Sequence, residues 1–210
     1  MKVSASFLSC KKIIPAIEKL SLTTVDYIHV DFVDGEFVVG KKIPFRKLKK
    51  ISKVSSKRLD VHLMTDKLKK YIKKFVLLNC EYITFHVEVG KDIEKYIKMI
   101  HNYGIKCGLA INPATDIEEL KPYLPMVDMV LVMSVVPGYG GQAFIPEVVD
   151  KVRELKNYVE DKELDLVISI DGGLNNETAK VVKPFVDIIV SGSYITNSDD
   201  YQEKIDSLKK

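Results

Sequence analysis

A chain of 210 residues, 46% hydrophobic and free of low-complexity tracts, is expected to form one domain over 1–210 with a real core, which excludes a disordered chain. Net charge is only +3, and the 29 lysines and three arginines are spread along the chain, which argues against a nucleic-acid surface. Cys10, Cys80 and Cys107 are odd in number and lack metal-ligand spacing, and no run approaches the roughly 20 apolar residues of a membrane span, so a reducing, cytoplasmic setting without membrane contact is expected.

In chain order, eight β-branched runs read as strands: Lys2 to Ser6, Tyr27 to Asp31, Leu59 to His62, Tyr82 to His86, Lys106 to Ile111, Met129 to Met133, Leu166 to Asp171 and Ile188 to Ser191. Lysine-rich stretches with apolar residues at helical spacing lie between them, as at Asp66 to Leu78, Asp92 to Tyr103 and Pro146 to Tyr158. After the fifth run, Asn112-Pro113-Ala114-Thr115 precedes Asp116-Ile117-Glu118-Glu119, and Thr115 with Glu118 predicts a capping box at a helix entry. This alternation predicts repeated βα units around a parallel sheet.

Eight such units could close into a barrel or lie as an open sheet. Polar residues decide between the two: Ser6, Asp31, His62, His86, Asn112, Ser134 and Asp171 each fall at or just past the end of an apolar run. A single (β/α)8 TIM barrel gathers all those ends on one face, whereas an open sheet converges fewer of them.

Alternation points His29 and Asp31 to the same side of their strand. With His62 and Asp171 they make two histidines and two carboxylates at one mouth, a sensible set for one divalent ion such as Zn2+, Fe2+, Mn2+ or Co2+. Each alone could be an ordinary satisfied polar residue at a strand end. Pro137-Gly138-Tyr139-Gly140-Gly141-Gln142 follows the sixth run, Asp171-Gly172-Gly173 ends the seventh, and Gly192-Ser193 follows the eighth. Glycine-rich turns there let backbone N–H groups approach an anion, and the last two loops are the customary phosphate site of such barrels.

With these segments in hand, the chain resembles the ribulose-phosphate 3-epimerase family from Ser4 to about Thr196. The matching stretches are Ser6-Phe7-Leu8-Ser9, His29-Val30-Asp31 with Asp34-Gly35, Asp60-Val61-His62-Leu63-Met64 and Ile83-Thr84-Phe85-His86. They continue with Gly108 to Thr115, Leu131 to Ser134 with Pro137 to Gln142, Ile170 to Asn175 and Ser191-Gly192-Ser193. The resemblance implies that His29, Asp31, His62 and Asp171 bind one divalent metal, and that Asp31 and Asp171 are also the acid/base pair. It implies substrate contacts from Ser6, His62, Met64, Met133 and Asp171. The phosphate would be received at Gly138, Tyr139, Gly140, Gly141, Gly172, Gly173, Gly192 and Ser193. It further implies conversion of D-ribulose 5-phosphate to D-xylulose 5-phosphate in the pentose phosphate pathway, no organic cofactor, and a homo-oligomer, dimer or hexamer.

Inverting C3 of a 2-keto sugar phosphate requires proton removal on one face and return on the other through a 2,3-enediolate, so two opposed groups are needed. Four departures from the family stand out: Ala5 for proline, Val33 for methionine, Val39-Gly40 for proline-asparagine, and Val136 for a polar residue. Val33, Val39 and Gly40 are where a preference for a hexulose phosphate, such as D-allulose 6-phosphate, would be sought. A phosphosugar decarboxylase would carry Asp-x-Lys-x-x-Asp, but the chain reads Asp31-Phe32-Val33-Asp34. A non-catalytic sugar-phosphate-binding barrel would be expected to lose one of the two aspartates. His86 is read either as a substrate contact or as part of a polar layer, His101 as a surface residue, and Cys10 as a packing residue.

Overall fold

The computed structural model describes residues 1–210 as a closed, all-parallel barrel with strand order β1 to β8. The strands are β1 (Lys2–Ser6), β2 (Tyr27–Val33), β3 (Arg58–Met64), β4 (Cys80–His86), β5 (Lys106–Ile111), β6 (Met129–Met133), β7 (Val167–Asp171) and β8 (Ile188–Ser191). Helices α1 (Ile13–Ser21), α2 (Phe45–Val54), α3 (Leu68–Phe75), α4 (Ile93–His101), α5 (Val148–Asp161), α6 (Asn176–Val182), α7 (Ser193–Thr196) and α8 (Tyr201–Lys209) surround it. The β1, β5, β6 and β8 boundaries coincide with those expected from sequence. β2, β3 and β4 are longer, because their flanking residues continue the parallel ladder.

Each outer helix presents one apolar stripe to the sheet. In α3 the buried residues are Leu68, Ile72 and Phe75, and in α4 they are Ile93, Ile97 and Ile100, while the lysines between them face water. These stripes meet the outward strand residues in one continuous core. Inside the barrel, Tyr27, Tyr82, Met129 and Ile188 plug the N-terminal end, with the two tyrosine rings in a T-shaped contact at 5.8 Å.

One connection departs from expectation. Between β5 and β6 there is no α-helix, only short 3-10 turns at Ile117–Glu119 and Leu124–Met126. The Thr115–Glu118 capping box does not form: Asp116 caps the turn by accepting from the Glu118 N–H, and the Thr115 hydroxyl donates instead to Glu88 Oε1 at 2.7 Å. A neighbouring carboxylate outcompetes the local cap for that hydroxyl.

At the opposite end, a repeated device fixes strand register. Val25-Asp26, Val127-Asp128 and Val186-Asp187 immediately precede β2, β6 and β8. Each aspartate accepts from a backbone N–H of the preceding strand: Asp26 from Val3 at 2.8 Å, Asp128 from Cys107 at 2.7 Å and Asp187 from Ile168 at 2.8 Å. Each also donates its own N–H to the carbonyl of that same residue. The three cysteines are free, and no helix is long and apolar enough to cross a membrane.

Candidate active site

Register places the polar residues side by side. His29 lies opposite Asp60, and Asp31 opposite His62, on β2 and β3, while Ser6 on β1 pairs with His29. Asp171 enters from the end of β7, beside Met133 on β6. His29, Asp31 and His62 are buried, and one donor atom from each, with one from Asp171, lies within 4.8 Å of all the others.

The spacing within this group can be compared with that of a hydrogen-bond network. His29 Nε2 stands 3.3 Å from Asp31 Oδ1 and 3.6 Å from Asp171 Oδ2, and His62 Nδ1 stands 3.4 Å from Asp31 Oδ1. These separations exceed the usual N–H···O range of about 2.7–3.2 Å. They suit donor atoms that face a shared centre at bonds of about 2.0–2.2 Å rather than each other. His29 Nε2 is buried without a hydrogen-bond partner, which an isolated imidazole nitrogen would not tolerate cheaply. The donor set therefore fits a divalent cation.

The surrounding contacts orient these donors. His29 Nδ1 meets Asp60 Oδ2 at 2.8 Å, and the Ser4 hydroxyl donates to the same oxygen at 2.8 Å. That leaves Nε2 to face Asp31 and Asp171. Asp31 Oδ2 accepts from the Ser6 hydroxyl at 2.8 Å, freeing Oδ1 for the cluster. A carboxylate holding the far nitrogen of a histidine is the usual support for a metal-ligating ring. Asp60 was given no role from sequence, although alternation places it on the same strand face as His62.

Electrostatics separate the two aspartates. Burial alone would raise the pKa of Asp31, but His29 and His62 beside it hold the carboxyl well below the usual carboxylate range. Burial and then the Asp31 charge push Asp171 up to about 7. Burial favours neutral His29, yet the Asp60 and Asp31 charges outweigh it and raise its pKa well above the ordinary value. Burial drives His62 down to about 4.

Above the cluster opens a cavity of about 370 Å³. Ser6, Asp31, Met64, Met133 and Asp171 line its floor, and Gly138, Tyr139, Gly140, Gly141, Gly172, Gly173, Gly192 and Ser193 its rim. His62, also expected to touch substrate, is fully buried and stands behind the wall. No lysine or arginine faces the cavity, so an anion there would be held by backbone N–H groups and hydroxyls. The Ser134 hydroxyl and N–H bond the carbonyls of Asp171 and Gly172, stitching the β7 loop to the β6 loop. At Gly173, φ is +66° and an added Cβ would lie 2.4 Å from the Phe144 nitrogen, so only glycine fits.

Val33, Val39 and Gly40 do not line the cavity. Val33 is buried and Val39 exposed, whereas Gly40 lies against Gly138: an added Cβ would come 2.3 Å from the Gly138 oxygen. The departure at Gly40 thus permits close contact between two rim loops, which the Lys41 N–H bond to that oxygen reinforces at 3.3 Å. His101 is exposed and bonds Asp128 at 2.8 Å, and Cys10 packs half-buried against the core.

The profile of the family described as "Ribulose-phosphate 3 epimerase family" matches residues 2–196. The ribulose-phosphate 3-epimerase of Synechocystis is 37% identical over 206 residues, covering 97% of this chain and 88% of the relative. That of Methanocaldococcus jannaschii is 35% identical over 213 residues, covering 100% and 90%. Among solved structures, KGPDC from Streptococcus mutans superposes with a TM-score of 0.72 at 14% identity, covering 99% of this chain and 95% of that one. At that identity the likeness concerns the fold alone.

Proposed function

The chain belongs to the ribulose-phosphate 3-epimerase family and is an isomerase acting on carbohydrates, and from that premise we propose that it inverts C3 of D-ribulose 5-phosphate to give D-xylulose 5-phosphate, with His29, Asp31, His62 and Asp171 holding one divalent metal ion. The observation that carries this reading is the convergence of one donor atom from each of His29, Asp31, His62 and Asp171 within 4.8 Å of the others, with both carboxylates lining one cavity floor. Inverting one carbon needs a base on one face and an acid on the other, and Asp31 and Asp171 are the two carboxylates that line this cavity.

Asp31, ionised, takes the C3 proton from one face of the sugar, and the electron pair moves into the C2 carbonyl to give the 2,3-enediolate. Asp171, protonated at the start of this direction, returns its proton to C3 from the opposite face as the C2 carbonyl re-forms. Asp31 ends protonated and Asp171 ionised, so the pair is set for the reverse direction and resets by exchange with solvent. The Ser6 hydroxyl keeps Asp31 aimed during this transfer. When bound, the metal ion supplies Lewis-acid stabilisation of the enediolate charge, a contribution of several kcal/mol. Met64 and Met133 give the floor an apolar, polarisable surface under the reacting carbons. The phosphate is received by the Gly138–Gly141, Gly172–Gly173 and Gly192–Ser193 backbone.

The test is a coupled assay on ribulose 5-phosphate with the parent, Asp31→Asn and Asp171→Asn, each loaded with Zn2+ or Co2+. Each substitution is expected to lower kcat by roughly 10²–10⁴-fold. Near-parental turnover by either variant would overturn the two-base assignment. Preferential turnover of D-allulose 6-phosphate would move the reading to a hexulose phosphate.

A further inference from the structure

The wall behind His62 holds a chain of polar contacts that the reaction described above does not use. His62 turns Nδ1 toward Asp31 and the metal-ligand cluster, and its other ring nitrogen, Nε2, lies 2.8 Å from Nε2 of His86. His86 Nδ1 lies 3.0 Å from Glu88 Oε2. Glu88 Oε1 in turn accepts from the Asn112 N–H at 2.8 Å and the Thr115 hydroxyl at 2.7 Å. Lys151 of α5 donates to the Asn112 and Pro113 carbonyls, at 3.0 and 2.6 Å, and fixes that loop from outside. Both imidazoles are fully buried, and neither His86 nor Glu88 faces the cavity. His86 is therefore not placed to touch substrate.

We propose that Glu88 and His86 are positioning residues for the metal ligand His62, fixing through an unbroken chain of hydrogen bonds which of its ring nitrogens carries the proton. The inference rests on the metal reading given above. Its logic is a proton count. Two facing ring nitrogens at 2.8 Å share one proton, so one donates and the other accepts. A neutral His62 offering the Nδ1 lone pair to a metal carries its hydrogen on Nε2, which makes Nε2 of His86 the acceptor. His86 then carries its own hydrogen on Nδ1, aimed at a carboxylate whose other oxygen is already held by two donors. Every proton in the chain has one allowed position, and each step transmits carboxylate charge toward the metal-facing nitrogen.

The arrangement is asymmetric. His29 meets its carboxylate, Asp60, directly, whereas His62 reaches Glu88 only through a second imidazole. Phe37, from the loop after β2, lies with its ring 5.6 Å from that of His86. Dry surroundings strengthen such a network and penalise any break in it.

The test uses Co2+ as probe, with affinity read by isothermal titration and ligand geometry by the visible absorption of the Co2+ protein. His86→Leu, which removes the acceptor, is expected to weaken Co2+ roughly 10–100-fold and to change the absorption envelope. His86→Gln, which keeps an acceptor near the Nε2 position, is expected to recover most of the affinity. His101→Leu removes an exposed histidine elsewhere and is expected to match the parent. If His86→Leu fails to fold, Glu88→Ala carries the same expectation. Parental affinity and an unchanged spectrum in folded His86→Leu or Glu88→Ala would overturn the inference and leave the metal reading standing. A parent protein that takes up no Co2+ would overturn both.

Discussion

His29 illustrates how one side chain is defined by what stands behind it. Asp60 takes Nδ1, so Nε2 is the nitrogen presented to Asp31 and Asp171. In Asp60→Asn the amide can offer N–H groups to Nδ1, which would drive the ring proton to Nε2, the position a cation needs. Metal affinity measured by titration calorimetry is expected to drop roughly 10–100-fold, and an unchanged value would remove Asp60 from this role. Asp31, His62 and Asp171 were legible in the sequence because each is a polar residue closing an alternating apolar run, although β2 and β3 continue two residues beyond Asp31 and His62. Asp60 was not, since it sits one layer deeper and looks like any buried acid until its register partner, His29, is known. Glu88 and the role of His86 were hidden for a related reason. Which neighbours meet across β3, β4 and the loop after β5 is set by barrel closure, and spacing along the chain carries no trace of it.

Between whole elements, strand identity was readable from β-branched runs, and helix faces from lysine-separated apolar residues. The connection from β5 to β6 was misread because Thr115 had two possible partners, and the one that won, Glu88, is 27 residues away. A further signal in the sequence is the Val-Asp pair before β2, β6 and β8. Its aspartate clamps the preceding strand at the end of the barrel remote from the cavity. Asp187→Ala would leave the Ile168 N–H without its acceptor and is expected to cost about 1–2 kcal/mol, seen as a lower urea midpoint. Asp187→Asn retains an acceptor and should lose less. Turnover well below the unfolding temperature should stay at the parental level in both, because the clamp lies opposite the mouth.

For the molecule as a whole, Glu88 links the rim to acid stability. Burial raises its pKa, but bonds from His86, Asn112 and Thr115 prevail and bring it down to about 2 from the ordinary 4.5. A carboxylate with a depressed folded value stabilises the native state above its unfolded pKa, and that stabilisation fades as pH falls from about 4.5 toward 2. Glu88 is only partly buried, so the contribution is on the order of 1–2 kcal/mol after screening. Urea midpoints of the parent and Glu88→Gln should therefore differ clearly at about pH 5 and converge near about pH 2. A constant gap across that window would show that the carboxylate charge is not what these bonds stabilise.

Closure of the sheet has a further consequence. Because β1 hydrogen-bonds both β2 and β8, every strand has two neighbours and the barrel offers no free edge. A second copy cannot attach by strand addition, and the ordinary route by which exposed β-structure seeds fibres is closed to the native fold. Association between copies would have to be made by helix faces or rim loops. Such contacts can be strengthened or abolished by surface substitutions that leave untouched the strands carrying His29, Asp31, His62 and Asp171.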